Sequence, residues 1–297
     1  MTTDQRAASR AAGQRILLAH DLSAAAELAV GLVLHAGWPE STIVRVITSP
    51  VGVAPPLSSF AQPAEARAYA RKVRETIAFT QERVAADLMD AGLAVETATV
   101  RGKPEGAIVA EADRFGADLV VVGARSQGSI AATLLGSVSR AVVENAACSV
   151  LVARASVVGR VLLATDGSPP ARFATATIAT WPMFDAARIQ IVGMGDASGD
   201  AAASIHVSDV VEAAVAELTA GGRRVEGDPR SGEVVAEVVS RARAWPADLV
   251  VIGSEGRTPL LRRLLLGSLA HTVLDGVGSS VLVARPGETI DRAPSDG

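Results

Sequence analysis

The sequence predicts an α/β chain made of two tandem copies of one parallel-sheet domain. Three observations carry this. Ser149–Arg154 (SVLVAR) recurs letter for letter at Ser280–Arg285. Ala117–Gly123 (ADLVVVG) recurs as Ala247–Gly253 (ADLVVIG), and Arg15–Ser23 (RILLAHDLS) as Arg160–Ser168 (RVLLATDGS), in the same order. Short apolar runs alternate with helical patterns as β-α-β-α-β-α-β-α-β in each copy, an order that places helices on both faces of a parallel sheet.

Each element follows from local chemistry. Ile16–His20 is a short apolar run ending at Asp21, the pattern of a buried parallel strand. Ser23–His35 has helical spacing with Ser23 as its N-cap. Thr42–Thr48 is the second strand. Val51–Pro63 is rich in Pro and Ser and reads as loop. Ala64–Ala91 is a long amphipathic helix ended by Gly92, and Val95–Val100 the third strand. Pro104 heads a helix Glu105–Phe115, where its missing N–H does no harm. Leu119–Val122 is the fourth strand. A helix near Ser137–Ala146 leads to the fifth, Val150–Ala153. The second copy repeats this order with a shorter second helix, about His206–Ala220.

Spacing shows where the copies diverge. Asp21 and Asp166 stand 145 positions apart but Ala117 and Ala247 only 130, so the second copy has lost 15 residues between those points. Ser149 and Ser280 are 131 apart, which adds one residue after Gly253. A period this long means whole domains rather than solenoid units. The expected division is a disordered segment 1–13, domains 14–154 and 155–286, and a tail 287–297.

Composition narrows the function classes. The chain has 297 residues, 49% of them hydrophobic and only 3% aromatic, so its cores must be aliphatic. The net charge of −4 and the absence of a long basic run argue against a general nucleic-acid binder. The polar N-terminus lacks the apolar core of a secretion signal, and no apolar run approaches membrane-spanning length. The single cysteine, Cys148, cannot form an internal disulfide. The expectation is a cytoplasmic protein without membrane or nucleic-acid partners. The four histidines share no metal spacing with one another or with Cys148.

In open α/β sheets, ligands bind at the carboxyl ends of the strands where the strand order reverses. Strand one ends in Asp21 (Asp166 in the second copy) and strand four in Gly123 (Gly253). A carboxylate there accepts from ribose hydroxyls or an adenine amine. Glycines let backbone N–H groups approach phosphates. Gly136-Ser137 then opens a helix whose N-terminus favours anions. Against this, an Asp after a strand often caps only the next helix, and a Gly there often serves only the turn.

The pattern G-x2-G-x9-G-[S/T] after a parallel strand, the opening strand ending in Asp, Asp166-Gly-Ser168 and the closing Cys148–Val152 together resemble the universal stress protein family, over about residues 14–154 and 158–286. The resemblance implies two tandem Rossmann-like (adenine nucleotide alpha hydrolase-like) domains, each a five-stranded parallel sheet of order 3-2-1-4-5. It also implies a stress-response regulator that binds ATP, with or without Mg2+, and has no strong catalytic activity. Carried over residue by residue, Asp21 and Asp166 face the nucleoside. Val46 lies beside the adenine, its counterpart near Gly193. Gly123, Ser126, Gly128, Gly136 and Ser137 hold phosphates in the first copy, and Gly253, Gly256, Gly267 and Ser268 in the second. It further implies pairing of the closing strands Val150–Ala153 and Val281–Ala284 within one chain, which would cover two apolar sheet edges, and a possible homodimer.

Both copies depart from the pattern. The first keeps the spacing but places Ser126 where the second Gly belongs. The second keeps both glycines, but its loop is one residue longer, contains Pro259 and carries Glu255. Unequal occupancy of the two sites is therefore expected, with the first copy the more competent. Two other readings stay open: an interaction or dimerisation module that binds no nucleotide, and a weak hydrolase using Ser126 in the elbow-like Ala124-Arg-Ser126-Gln-Gly128. No G-x4-G-K-[S/T] loop occurs, which leaves fast phosphoryl transfer without its usual lysine.

Overall fold

The computed structural model describes residues 13–53, 62–124, 135–194, 201–228, 234–254 and 268–286. In the first copy the strands are β1 (Arg15–Ala19), β2 (Ile43–Thr48), β3 (Ala94–Thr99), β4 (Leu119–Gly123) and β5 (Ser149–Ala153). The helices between them are α1 (Ala24–Leu34), α2 (Pro63–Asp90), α3 (Pro104–Phe115) and α4 (Ser137–Asn145). The second copy supplies β6 (Arg160–Thr165), β7 (Arg188–Gly193), β8 (Arg224–Asp228), β9 (Leu249–Gly253) and β10 (Ser280–Ala284). Its helices are α5 (Pro169–Thr180), α6 (Ala201–Ala220), α7 (Val234–Ala244) and α8 (Ser268–Gly276). Among the described residues no helix is long and apolar enough to cross a membrane.

Each copy has the 3-2-1-4-5 order, and the two sheets fuse into one of ten strands, β3-β2-β1-β4-β5-β10-β9-β6-β7-β8. All pairs within a copy are parallel. The seam is antiparallel and pairs Val152 with Val281, Leu151 with Leu282 and Val150 with Val283. Two edges that would each expose an apolar strand thus cover one another, leaving β3 and β8 outermost.

Strand side chains alternate between two cores. Ile16 and Leu18 of β1 join α1, α2, α5 and α6 on one face, with Trp38 and Trp181 edge to face at 5.8 Å. Leu17 joins α3, α4, α7 and α8 on the other. The short linker is strapped to α1: a Cβ on Gly31 would lie 2.6 Å from the Ser156 side chain, and His35 Nδ1 lies 3.2 Å from the Ser156 carbonyl oxygen.

Several boundaries differ from expectation by a residue or more. Pro50–Val53 forms a single helical turn inside the segment read as loop, because a proline suits a first helical position. Helix α6 begins at Ala201 rather than His206, in keeping with the helix propensity of Ala201–Ala203. Strand β3 starts one residue earlier than predicted.

The missing 15 residues can be placed. Leu18 pairs with Val46, and Leu163 pairs with Ile191, so the 145-residue offset holds through the second strand. The helix-ending bonds from Leu93 N–H to the Leu88 carbonyl and from Arg223 N–H to the Leu218 carbonyl already stand 130 apart. Helix α2 has 28 residues and α6 has 20, so the first turns of the helix are gone, with the rest lost from the connection before it.

The repeated SVLVAR is the code of the seam. Arg154 donates to the carbonyls of Ser279 and Leu274, and Arg285 to those of Ala146 and Val143, so each arginine satisfies carbonyl oxygens at the end of the other copy's last helix. Ser149 Oγ accepts the Arg285 N–H at 3.1 Å, and Ser280 Oγ the Arg154 N–H at 3.0 Å. Helices α4 and α8 meet through Arg140, whose Nη2 donates to both oxygens of Asp275 at 2.6 and 2.9 Å, with His271 Nε2 3.7 Å from Glu144. Arg140 and Glu144 occupy the places of His271 and Asp275 in the other copy, so the contact has the reciprocal form of a two-fold interface inside one chain.

Candidate functional site

The ends of β1 and β4 frame a cleft, open to solvent, at the switch point of the first copy. Its floor is Ala19, Ile47, Val122 and Gly123; one wall is Pro104 and Ile108 of α3; the other is Gly136, Val138 and Ser139 at the start of α4. His20, Asp21 and Ser49 complete the rim.

Asp21 is half-buried, and its Oδ1 accepts the Ser23 N–H at 3.1 Å. This is an Asx turn rather than the helix cap weighed above, because Ser23 and Ser168 are the N-caps, and Asp166 repeats it on Ser168 at 2.9 Å. Among the described residues no hydrogen bond reaches Oδ2 of Asp21, so one oxygen caps the turn and the other can meet a ligand. Between Asp21 and Ser23 the chain turns through Leu22 at φ 65°, a left-handed conformation that costs a branched residue about 1 kcal/mol. Gly167 fills the same position at φ 72°.

The glycines closing β4 and β9 have a structural reason to be there. A Cβ on Gly123 would sit 2.7 Å from the Ala25 backbone, and one on Gly253 would sit 2.4 Å from that of Pro170. The first helix of each copy lies against the strand end, which excludes a side chain. Gly136 caps α4 and gives its N–H to the Ala124 carbonyl at 2.8 Å. Ser137 is exposed, whereas Ser139 is buried and donates to the Gly123 carbonyl at 2.6 Å. That bond ties the helix start to the strand end and aims the first turn of α4 at the cleft.

The remaining expectations resolve unevenly. The side chain of Val46 is fully buried in the α1/α2 core, and Ile47 lines the cleft instead, so Val46 can meet a ligand only through its main chain. The counterpart of Val46 by register is Ile191; Gly193 stands at the place of Thr48. Ser126, Gly128, Gly256 and Gly267 lie outside the described residues. Ser268 begins α8. Sequence reasoning did not assign His20, Ile47, Ser49 or Ser139 to the site. The alternation of β2, and the rule that residues three apart share a helix face, were the signals for Ile47 and Ser139.

His20 is buried, with both ring nitrogens engaged. Nδ1 accepts the Leu22 N–H at 3.2 Å, which puts the ring proton on Nε2, 3.2 Å from Glu27 Oε1. Glu27 is also bonded by Arg83, which in turn reaches Asp87 at 3.2 Å. Burial lowers the affinity of His20 for a second proton; Glu27 and Asp21 oppose that, and Arg83 reinforces it. Neither nitrogen is free to serve as a general base, so the geometry does not favour a hydrolytic role for His20. Cys148 is buried, and desolvation pushes its thiol up to about 12, the mark of a packed rather than a reactive cysteine.

A doubly wound sheet of order 3-2-1-4-5, with a carboxylate facing a helix N-terminus at its switch point, defines a class of small-ligand-binding α/β domains. The model of the Universal stress protein family matches residues 13–154 and 158–285, and the chain belongs to that family. Universal stress protein Rv2005c of Mycobacterium tuberculosis is 30% identical over 272 residues, a match covering 82% of this chain and 86% of the relative. A universal stress protein from Archaeoglobus fulgidus has a similar fold, with TM-score 0.66 and 20% identity over 92% of this chain and 98% of its own. A putative universal stress protein from Pseudomonas aeruginosa gives TM-score 0.62 and 19% identity over 94% and 95% of the two chains.

Proposed function

We propose that this universal stress protein binds an adenine nucleotide, ATP foremost, in the cleft of its first copy, and acts as a ligand-responsive binding protein rather than a metabolic enzyme. The observation that carries the reading is the convergence of Asp21, Gly123 and the N-terminus of α4 on one cleft. Asp21 Oδ2 would accept from the sugar or base. The α4 N-terminus, its first turn fixed by Ser139, would take the phosphates. Ile47 and Ile108 offer an apolar seat for the ring. Among the described residues no three His, Cys, Asp or Glu side chains gather to hold a metal, so Mg2+ would arrive with the phosphates.

The second copy supports the same ligand less well. Met194 stands where the first copy has Ser49, and it packs against the core. Ser49, on the rim of the first cleft, donates to the Gly102 carbonyl at 2.9 Å. A thioether there is bulkier than the serine hydroxyl and offers no hydrogen-bond donor. Titration of the purified protein with ATP, with AMP and cAMP as controls, tests the proposal. Saturation near one ATP per chain is the expected result. Absence of saturable binding at millimolar ATP would refute it and leave the interaction-module reading.

A further inference from the structure

Resting on the reading of the first cleft as a nucleotide site, we propose that His20 is its positioning residue, a proton-sensitive latch that holds Asp21 in place. The argument starts from Leu22. A leucine at φ 65° is uphill of the ordinary backbone regions, so something must hold it there. Its own N–H supplies the hold by donating to His20 Nδ1 at 3.2 Å. The imidazole cannot swing away, because its Nε2–H is committed to Glu27, which Arg83 fixes from α2. The turn so held is the one that presents Asp21 to the cleft.

The second copy makes the same contact with different chemistry. At the matching place Thr165 Oγ1 accepts the Gly167 N–H at 3.3 Å, and a glycine takes φ 72° without strain. At the place of Glu27 stands Arg172, which donates to the Gly167 carbonyl at 2.6 Å. A hydroxyl and a glycine do in one copy what an imidazole and a strained leucine do in the other. Only the imidazole version titrates.

The consequence follows from donor and acceptor counting. A second proton on His20 must go to Nδ1, which then cannot accept the Leu22 N–H. The turn loses this hold while its strain remains, and Asp21 is held less firmly, through its bond from the Ser23 N–H. The charged groups facing the ring are Asp21 beside it, Glu27 from α1 and Arg83 from α2; β2 contributes only the Ile47 carbonyl, which accepts the His20 backbone N–H at 2.9 Å. Protonation takes place below the ordinary histidine range, so nucleotide affinity should fall as pH drops through that region.

The test compares wild type with His20→Asn, which keeps an acceptor near Nδ1 but does not titrate, and with His20→Thr, the residue of the second copy. ATP affinity is measured from about pH 7.5 to about pH 5; the expected result is a wild-type loss at least about fivefold beyond that of either variant, the lower end of typical coupling between sites. Protonation of ATP itself is common to all three proteins. Parallel profiles would overturn the latch as a control on binding. A second arm follows the Leu22 amide and the His20 ring by NMR without ligand: the amide must shift with the titration of the ring, and an amide indifferent to it overturns the latch itself. No ATP binding by wild type near pH 7.5 would refute the nucleotide reading and this coupling with it, while the NMR arm still judges the latch alone.

Discussion

Gly123, Gly167 and Gly253 are each held by a neighbour rather than by a ligand. A Cβ would meet backbone at 2.7 Å from Gly123 and 2.4 Å from Gly253, and Val210 at 2.7 Å from Gly167. Alanine at Gly123 or Gly253 should cost about 1–3 kcal/mol by denaturant unfolding, because a backbone neighbour cannot step aside. At Gly167 the positive φ adds to the collision. Cys148 should resist thiol reagents at about pH 8 in the folded protein and react at once in denaturant, since only the thiolate attacks. The buried His20 gives a pH effect of definite sign. The unfolded chain takes up that proton more readily than the folded one, so stability is full above about pH 6.5 and declines below it. His20→Asn should flatten that decline in pH-dependent melting curves. Asp21, Gly123, Gly136 and the Gly-Ser helix start were legible in the sequence because each closes a strand or opens a helix at a motif position. His20 was not, since nothing in a lone histidine after an apolar strand announces that a turn residue two positions on hangs from its ring.

At the scale of elements, the strands and helices of both copies could be read from apolar runs, caps and glycines. The order 3-2-1-4-5 came instead from the resemblance, because local pattern does not record which strands lie side by side. Helix boundaries failed where small residues blur the line between loop and helix, as at Ala201. The side chain of Val46 faces the α1/α2 core and that of Ile47 the cleft, because in a strand one residue is the difference between faces. The exact repetition of SVLVAR, which first marked a duplication, has a physical content that sequence alone could not supply. Its Ser and Arg bond the other copy, and its apolar residues pair with themselves in the opposite direction. Arg285 is buried and satisfies two carbonyls of the other copy, so Arg285→Ala should destabilise the chain by about 2–4 kcal/mol, measured by chemical denaturation. Arg140 and Asp275 are partly exposed, and a double-mutant cycle between them should return a coupling of about 1 kcal/mol.

The whole molecule is one sheet, with a cleft at the switch point of its first copy. Both cores run through both copies, on either side of the β5/β10 seam. Unfolding should therefore appear as a single transition, with tryptophan fluorescence from the Trp38–Trp181 pair and far-ultraviolet circular dichroism moving together. Two separated transitions would mean that the seam does not couple the copies. The same continuity gives the cleft a rigid frame, since the strand that ends beside Gly123 is hydrogen-bonded to the strand that makes the seam. The central claim is that this cleft, built around Asp21, takes the nucleotide. It is tested most directly by calorimetric titration of ATP into the wild type, Asp21→Ala and Asp166→Ala. The account predicts saturable binding by the wild type, a loss of about tenfold or more in Asp21→Ala from the missing charged acceptor, and little change in Asp166→Ala. Equal affinity in Asp21→Ala and the wild type, or a loss confined to Asp166→Ala, would contradict it.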